Sequence, residues 1–231
     1  MAAHPDGLAA HRPISDSASI GHVHEGLEVG GRPDYDGAAD FRASDADRQA
    51  FKESYRDYDT DAQFVEDLKA DSPVHRNIAT EELTAIRGYT GDEFYRQMNH
   101  GIRDGDAALL ERFDPHIRTI TSGLNQLPAY EGVVGRGITI TDPHQLQNIV
   151  DRYEPGAMIR EPSFVSTDTR ASFPGNIQFE IHSQTGRDIS SLSRYAGTES
   201  EVLFPPGSKF YVDERWFDPS ANTWYVRLIQ E

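Results

Sequence analysis

Two glutamates stand two positions apart at the start of an apolar run, in Tyr195-Ala-Gly-Thr-Glu-Ser-Glu-Val-Leu-Phe-Pro-Pro-Gly. In an extended chain residues i and i+2 face the same way, so Glu199 and Glu201 project to one side while Ser200 and Val202 project to the other. Paired carboxylates repel each other, which disfavours them in a plain surface strand but suits a site that must stabilise a cation and manage a proton. An acidic pair at a strand edge can also be merely solvated, so other residues must decide between the two readings. The remaining chemistry-bearing patterns are few. The nine histidines show no His-Glu-x-x-His or other ligand spacing, and no metal is expected. Gly135-Arg136-Gly137 lacks the third glycine and helix start of a dinucleotide fingerprint, and no phosphate-binding loop with Lys and Ser/Thr is present.

The elements that must position these glutamates divide the chain by texture. From Ser44 to about Leu127 the sequence reads as helical. Ser44 with Asp47 resembles a capping box opening a helix over Ala46 to Tyr58. A second helix is expected over Asp61 to Ala70, and a third over Glu81 to Arg87, capped by Thr80 and closed by Gly88 in a left-handed conformation. Another follows from Asp92, with Phe94, Met98 and Ile102 as its buried stripe. Phe113, Ile117, Ile120, Leu124 and Leu127 keep one face apolar through the longest helix. After Tyr130 the texture turns to short alternating runs, with one helix capped by Asp142 and started by Pro143. Strands are expected over Gly132 to Arg136, Ser163 to Thr167, Asn176 to His182, Glu199 to Phe204, Lys209 to Asp213 and Thr223 to Ile229. Helices first and strands afterwards imply an α+β domain with segregated layers.

The chain of 231 residues suits one well-cored domain with extra segments. Residues 1–43, rich in Gly, Ala, Asp, His and Pro without apolar period, read as a disordered or loosely attached segment ahead of a domain over 44–231. The helical part of that domain is 44–128 and the β core with its cleft is 129–231. A formal charge of −16 repels nucleic acids and anionic membranes, so neither is an expected partner. With no cysteine, the chain has no disulfide, zinc-thiolate site or thiol nucleophile. The N-terminus lacks the apolar core of a signal peptide, and no run reaches the ~18 apolar residues of a membrane span.

Three motifs then occur in a meaningful order. Gly135-Arg136-Gly137-Ile138 precedes Phe164-Val165-Ser166-Thr167-Asp168, and both precede Glu199-Ser200-Glu201-Val202-Leu203-Phe204-Pro205-Pro206-Gly207. This series resembles the bacterial mono-ADP-ribosyltransferase exoenzymes of the Arg-Ser-Glu class, the group of binary actin-modifying toxins and related effectors. Its members carry Arg-Gly on one strand, aromatic-x-Ser-Thr-Ser on a second and Glu-x-Glu before an apolar strand and a Pro-Gly turn. The helical stretch Leu83 to Asn99 is similar to the family's segment ahead of the NAD cleft, so the resemblance covers about Ala79 to Glu231. It implies an ADP-ribosyltransferase-like fold, a helical N-terminal part packed on a two-sheet antiparallel β core. Two departures stand out: Asp168 replaces the third residue of the serine motif, and Gly135 precedes Arg136 where relatives often have an aromatic.

What the resemblance implies for single residues agrees with their chemistry. The substrate would be NAD, whose diphosphate suits the paired donors of Arg136, while Gly137 lets the backbone approach the nicotinamide amide. Breaking the nicotinamide glycosidic bond leaves a ribosyl cation, which calls for the nearby charge of Glu201. Ser166 would hold that carboxylate in one rotamer, with Thr167 beside it. Glu199 stands where the family places the residue that activates a protonated guanidinium, and Glu rather than Gln there points to an arginine acceptor. Tyr95 and Asn99 share a helix face and match a cofactor-contacting pair. Arg170 and Phe173, in the loop after the serine motif, would cover the nicotinamide and add a phosphate contact. Tyr195 would be presented to the target.

The implied activity is transfer of ADP-ribose to arginine of a target protein by a secreted bacterial toxin or effector. It would act in the cytoplasm of a target or host cell without an N-terminal signal peptide, and a cognate immunity protein or an export partner would accompany it. Three readings compete: an NAD glycohydrolase that transfers to water, a phage enzyme that modifies its host from within the cytoplasm, and an inactive transferase-fold binding module. Loss of Arg136 or Glu201 would mark the last, and both are present.

Overall fold

The computed structural model describes residues 38–91, 94–170, 174–197 and 200–231. Six helices and seven strands follow in chain order: α1 (Asp45–Ser54), α2 (Tyr58–Asp71), α3 (Thr80–Tyr89), α4 (Tyr95–Asp104), α5 (Ala107–Leu124), β1 (Ala129–Ile138), α6 (Pro143–Arg152), β2 (Met158–Arg160), β3 (Val165–Asp168), β4 (Ile177–Asp188), β5 (Glu201–Phe204), β6 (Lys209–Asp218) and β7 (Thr223–Gln230). The expected α+β order therefore holds, with five helices ahead of the first strand.

Local signals explain where the helices begin. The Ser44 hydroxyl accepts from Asp47 N while the Asp47 carboxylate accepts from Ser44 N, a complete capping box. Asp106 caps α5 by accepting from the amides of Ala108 and Leu109, and Asp142 caps α6 by accepting from Gln145. Two expectations are corrected. Thr80 is not a cap: α3 starts at Thr80 itself, after Ala79. Gly88 lies inside α3, and a Cβ there would stand 3.0 Å from the Tyr55 ring, so this glycine makes room for an aromatic side chain. The left-handed glycine cap belongs instead to α4, at Gly105 with φ of 66°.

The strands form one hydrogen-bonded sheet in the order β1-β3-β5-β4-β7-β6-β2, and β1 also pairs with β4. Strands β1, β3, β5 and β4 thus close on one another, so the two expected layers share strands. The pairing of β4 with β7 is parallel, and the others are antiparallel. Two apolar cores result. One joins the helices to the outer face of β3 and β5, through Phe51, Leu83, Ile86, Phe113 and Ile120 against Phe164, Leu192 and Leu203. The other lies within the folded sheet and under α6, with Val134, Phe179, Ile181, Val202, Phe204, Val226 and Leu228. Each such side chain stabilises the fold by roughly 1.5–3 kcal/mol on burial.

His116, on α5, packs inside the helical core against Phe51 with ring centroids 5.1 Å apart, beside Phe94 and Phe113. Both ring nitrogens are buried without a hydrogen-bond partner. Burial, aided by Arg112, pushes its pKa down from 6.5 to about 4. The folded value lies below the unfolded one, so above pH 6.5 the ring is neutral in both states and adds no pH dependence. As pH falls from 6.5 towards 4 the unfolded chain binds the proton first, and stability drops by about 3 kcal/mol. Urea unfolding at both ends of that window should show this loss in the wild type and a smaller one in His116→Phe. Parallel losses in both proteins would rule His116 out as the cause.

Candidate active site

Strands β3 and β5 pair in the register Val165↔Phe204, Ser166↔Leu203, Thr167↔Val202 and Asp168↔Glu201. Cross-strand partners share a face and successive residues alternate, so Ser166, Asp168, Glu201 and Leu203 lie on the side facing the helices. On that side the Ser166 hydroxyl donates to Glu201 Oε1 at 2.5 Å, and Glu201 is 6% exposed. From the neighbouring strand β1, Arg136 Nη1 donates to the Ser166 carbonyl at 3.0 Å. Arg136 thus meets Ser166 and Glu201 through the Ser166 main chain, its own side chain leaving β1 on the face opposite Gly135 and Asp168. Thr167 is not part of this group. It alternates to the opposite face, is fully buried and donates to the Val202 carbonyl at 2.7 Å.

Asp168, the departure from the family pattern, has a clear structural task. Its carboxylate accepts from Arg170 N at 2.6 Å and from Ser200 N at 3.0 Å, while Thr169 N donates to the Ser200 carbonyl at 3.0 Å. The residue before Glu201 is thereby tied to the chain leaving β3. Strands β1 and β3 are bridged at Gly135↔Asp168. Continuing that antiparallel register would set the buried Gly137 opposite Ser166, but no further bridge joins the two strands.

The helical side reaches the same place through Tyr89, a residue the sequence reading did not single out. Its ring packs on Phe164, just before β3, at 5.1 Å and on Tyr95 at 6.1 Å. Its hydroxyl accepts from Asn99 Nδ2 at 3.0 Å. Tyr95 and Asn99 are therefore tied to the approach to Ser166. Asn99 is buried, and its Oδ1 has no hydrogen-bond partner. An orphaned buried acceptor is costly, and Asn99 carries that cost beside Tyr89.

The chain leading to the glutamates is anchored to the helices by Asp61, 2% exposed on α2. Its carboxylate accepts from Arg87 Nε at 2.9 Å, from Arg194 Nη2 at 2.5 Å and from the Tyr55 hydroxyl at 2.5 Å. Burial and then the Asp61 carboxylate push the Tyr55 hydroxyl well above its usual range, so it stays a donor. Arg87 also donates to the Leu192 carbonyl at 3.1 Å, and Arg194 N to the Thr90 hydroxyl at 3.0 Å. A hydrophilic Asp in a helix carries no sequence mark of such a cluster, because its partners lie far along the chain. Beyond this anchor Tyr195 is 41% exposed, and Arg170 Nη1 donates to the Gly197 carbonyl at 3.3 Å. Glu199 and Phe173 lie outside the described residues. Among the described residues no group of three or more His, Asp or Glu could hold a metal ion.

Known proteins resemble this chain in sequence and in fold. Residues 67–222, more than half of the chain, match the family model for ADP-ribosyltransferase exoenzymes. The chain is 36% identical over 164 residues to Mav of Mycobacterium avium, assigned by name to the NAD(+)–arginine ADP-ribosyltransferases, covering 68% of this chain and 19% of that protein. It is 32% identical over 138 residues to the NAD(+)–protein-arginine ADP-ribosyltransferase Tre1 of Serratia proteamaculans, covering 60% of this chain and 30% of Tre1. The chain thus spans less than a third of either relative. Among solved structures, the type III effector XopAI of Xanthomonas axonopodis superposes with a TM-score of 0.72 at 25% identity, over 84% of this chain and 86% of that one. The chain belongs to the ADP-ribosyltransferase exoenzyme family.

Proposed function

We propose that the protein is an NAD-dependent mono-ADP-ribosyltransferase that modifies arginine on a target protein. The observation that carries this reading is the Ser166–Glu201 hydrogen bond on a face roofed by the helices, with Arg136 reaching the Ser166 carbonyl from β1. Cleavage of the nicotinamide glycosidic bond develops positive charge on the ribose. A carboxylate held in one rotamer and shielded from water stabilises that charge far better than one moving in solvent. Ser166 fixes the rotamer of Glu201, and Asp168 fixes the backbone on which Glu201 stands. The planar guanidinium of Arg136 suits the diphosphate, with Gly137 and Arg170 nearby and Tyr95 and Asn99 placed for the nucleotide. Phe173 completes the cover of the nicotinamide in this reading, and Thr167 braces β3 against β5 through its hydrogen bond to the Val202 carbonyl.

An arginine acceptor is suggested by Glu199 in the sequence and by the names of Mav and Tre1. Nothing in this chemistry calls on a metal. A domain over 44–231, delivery as a secreted effector, and an immunity or export partner remain part of the proposal. XopAI, a type III effector by name, is consistent with the second of these. The test is incubation with labelled NAD and agmatine, a small arginine mimic. ADP-ribosyl-agmatine is the expected product. Release of nicotinamide with no agmatine adduct would favour the glycohydrolase reading, and no NAD turnover at all would leave a binding module.

A further inference from the structure

One row of cross-strand partners crosses six strands: Glu214↔Arg227↔Glu180↔Gly135↔Asp168↔Glu201. Because ladder partners share a face, all six lie on the same side of the sheet as the candidate catalytic carboxylate. At about 4.8 Å per strand, Glu180 is roughly 14 Å from Glu201 along the sheet and Glu214 roughly 24 Å. A groove of about 460 Å³ runs over this face, lined among others by Gly135, Asp168, Glu180, Trp216, Tyr225 and Arg227. Gly135 contributes no side chain, so the floor dips where the groove approaches β3.

The chemistry of the groove is that of a guanidinium binder. Trp216 is 39% exposed and stacks on Tyr225 with ring centroids 5.2 Å apart and planes 11° apart. Arg227 lies over the Trp216 ring at 5.9 Å and donates to Glu180 and Glu214, each at 2.9 Å, with Asp213 at 3.5 Å. Three carboxylates around one guanidinium leave this end of the groove acidic, while at the other end Arg170 joins the lining and the buried Asp168 carboxylate is held by backbone amides. The hydrogen bond from Arg227 holds the Glu180 carboxyl below its usual range, so it stays ionised. Exposed aromatic faces beside excess carboxylates attract arginine and lysine side chains.

We propose that this groove docks the basic segment flanking the acceptor arginine of the target protein, laid in extended form so that the acceptor itself reaches Glu201. About four to seven residues at ~3.3 Å each span the distance. The inference rests on the transferase reading, and its test is arranged so that the two can fail separately. The probe is a short fluorescein-labelled peptide with one arginine among lysines and glycines, and the variants are Trp216→Ala and the double change Glu180→Gln with Glu214→Gln. Both should raise the KM for the peptide about tenfold and weaken its binding by anisotropy to match, the charge variant more so at low salt. Agmatine, too small to touch the groove, should keep its kcat/KM in both. Unchanged peptide KM and binding in both variants would overturn the proposal. So would a parallel fall in agmatine turnover, which would assign the groove to NAD or to catalysis. If the wild type modifies neither acceptor, the transferase reading fails and anisotropy alone decides docking: binding weakened in both variants sustains it, and no binding to the wild type ends it.

Discussion

Glu201→Gln should lower both ADP-ribose transfer to agmatine and NAD hydrolysis by about a hundredfold or more, the usual loss when a preorganised charge facing a transition state is removed. The change is close to isosteric. The amide oxygen can still accept from the Ser166 hydroxyl, which now lies 2.5 Å from Glu201 Oε1, so the side chain should keep its rotamer. What disappears is the negative charge, at a position 6% exposed where little water can screen it. Affinity for NAD should change far less than kcat, because the ground state carries no ribosyl cation for Glu201 to face. Thermal stability should hold or rise, since a buried carboxylate is costly to desolvate and its amide is cheaper. Steady-state kinetics with melting curves separate these effects. Residual turnover above about a tenth of wild type, in a variant that melts normally, would falsify the assignment of Glu201.

How much of this could be read from residues alone depended on the range of the interaction. The capping box at Ser44 and the Asp142 cap are contacts three residues long, and both appear as expected. Ile177, Phe179 and Ile181 alternate in sequence, and all three face the core of the folded sheet. Strand β2, by contrast, has only Met158, Ile159 and Arg160, too few positions to display a period. Thr167 is set by alternation: adjacent strand residues point to opposite faces, and its buried hydroxyl donates to the Val202 carbonyl, a partner the motif alone does not display. Glycine permits left-handed backbone, so the sequence alone points to a helix end at Gly88, whereas its use is the space it leaves for Tyr55. The Asp61 cluster and the row from Glu214 to Glu201 were out of reach for a more basic reason. Each depends on strand order and register between segments far apart in the chain, which no local pattern encodes.

The Arg136, Ser166 and Glu201 constellation lies between these extremes. Separately, an Arg-Gly pair, a Ser-Thr pair and a Glu-x-Glu are weak signals. Their order became informative because the sheet places β3 between β1 and β5, so that three motifs distant in sequence meet across two ladders. Asn99 stands four residues from Tyr95 in sequence, but its tie to Phe164 through Tyr89 emerges only from packing.

Glu199→Gln should separate two reactions that Glu201→Gln stops together. Glu199 stands two positions before Glu201, and its proposed task is to act on the acceptor rather than on NAD. A guanidinium is protonated at neutral pH and has no lone pair to offer until a base withdraws or orients its proton, whereas water attacks a ribosyl cation without such help. The glutamine variant should therefore lose transfer to agmatine by about a hundredfold, within the range for general-base removal, while NAD hydrolysis stays within a few fold of wild type. Because hydrolysis continues, the loss cannot be blamed on unfolding or on failed NAD binding, and each reaction serves as the control for the other. The pH profile adds a second readout. In the wild type, transfer should fall in acid as the base is protonated, and in the variant the small remaining transfer should rise with pH as hydroxide substitutes for the missing carboxylate. If Glu199→Gln modifies agmatine as fast as wild type, Glu199 is not the activating base and the arginine assignment loses its main chemical support. If hydrolysis falls in step with transfer, the two glutamates act as one unit on the glycosidic bond, and the glycohydrolase reading gains instead.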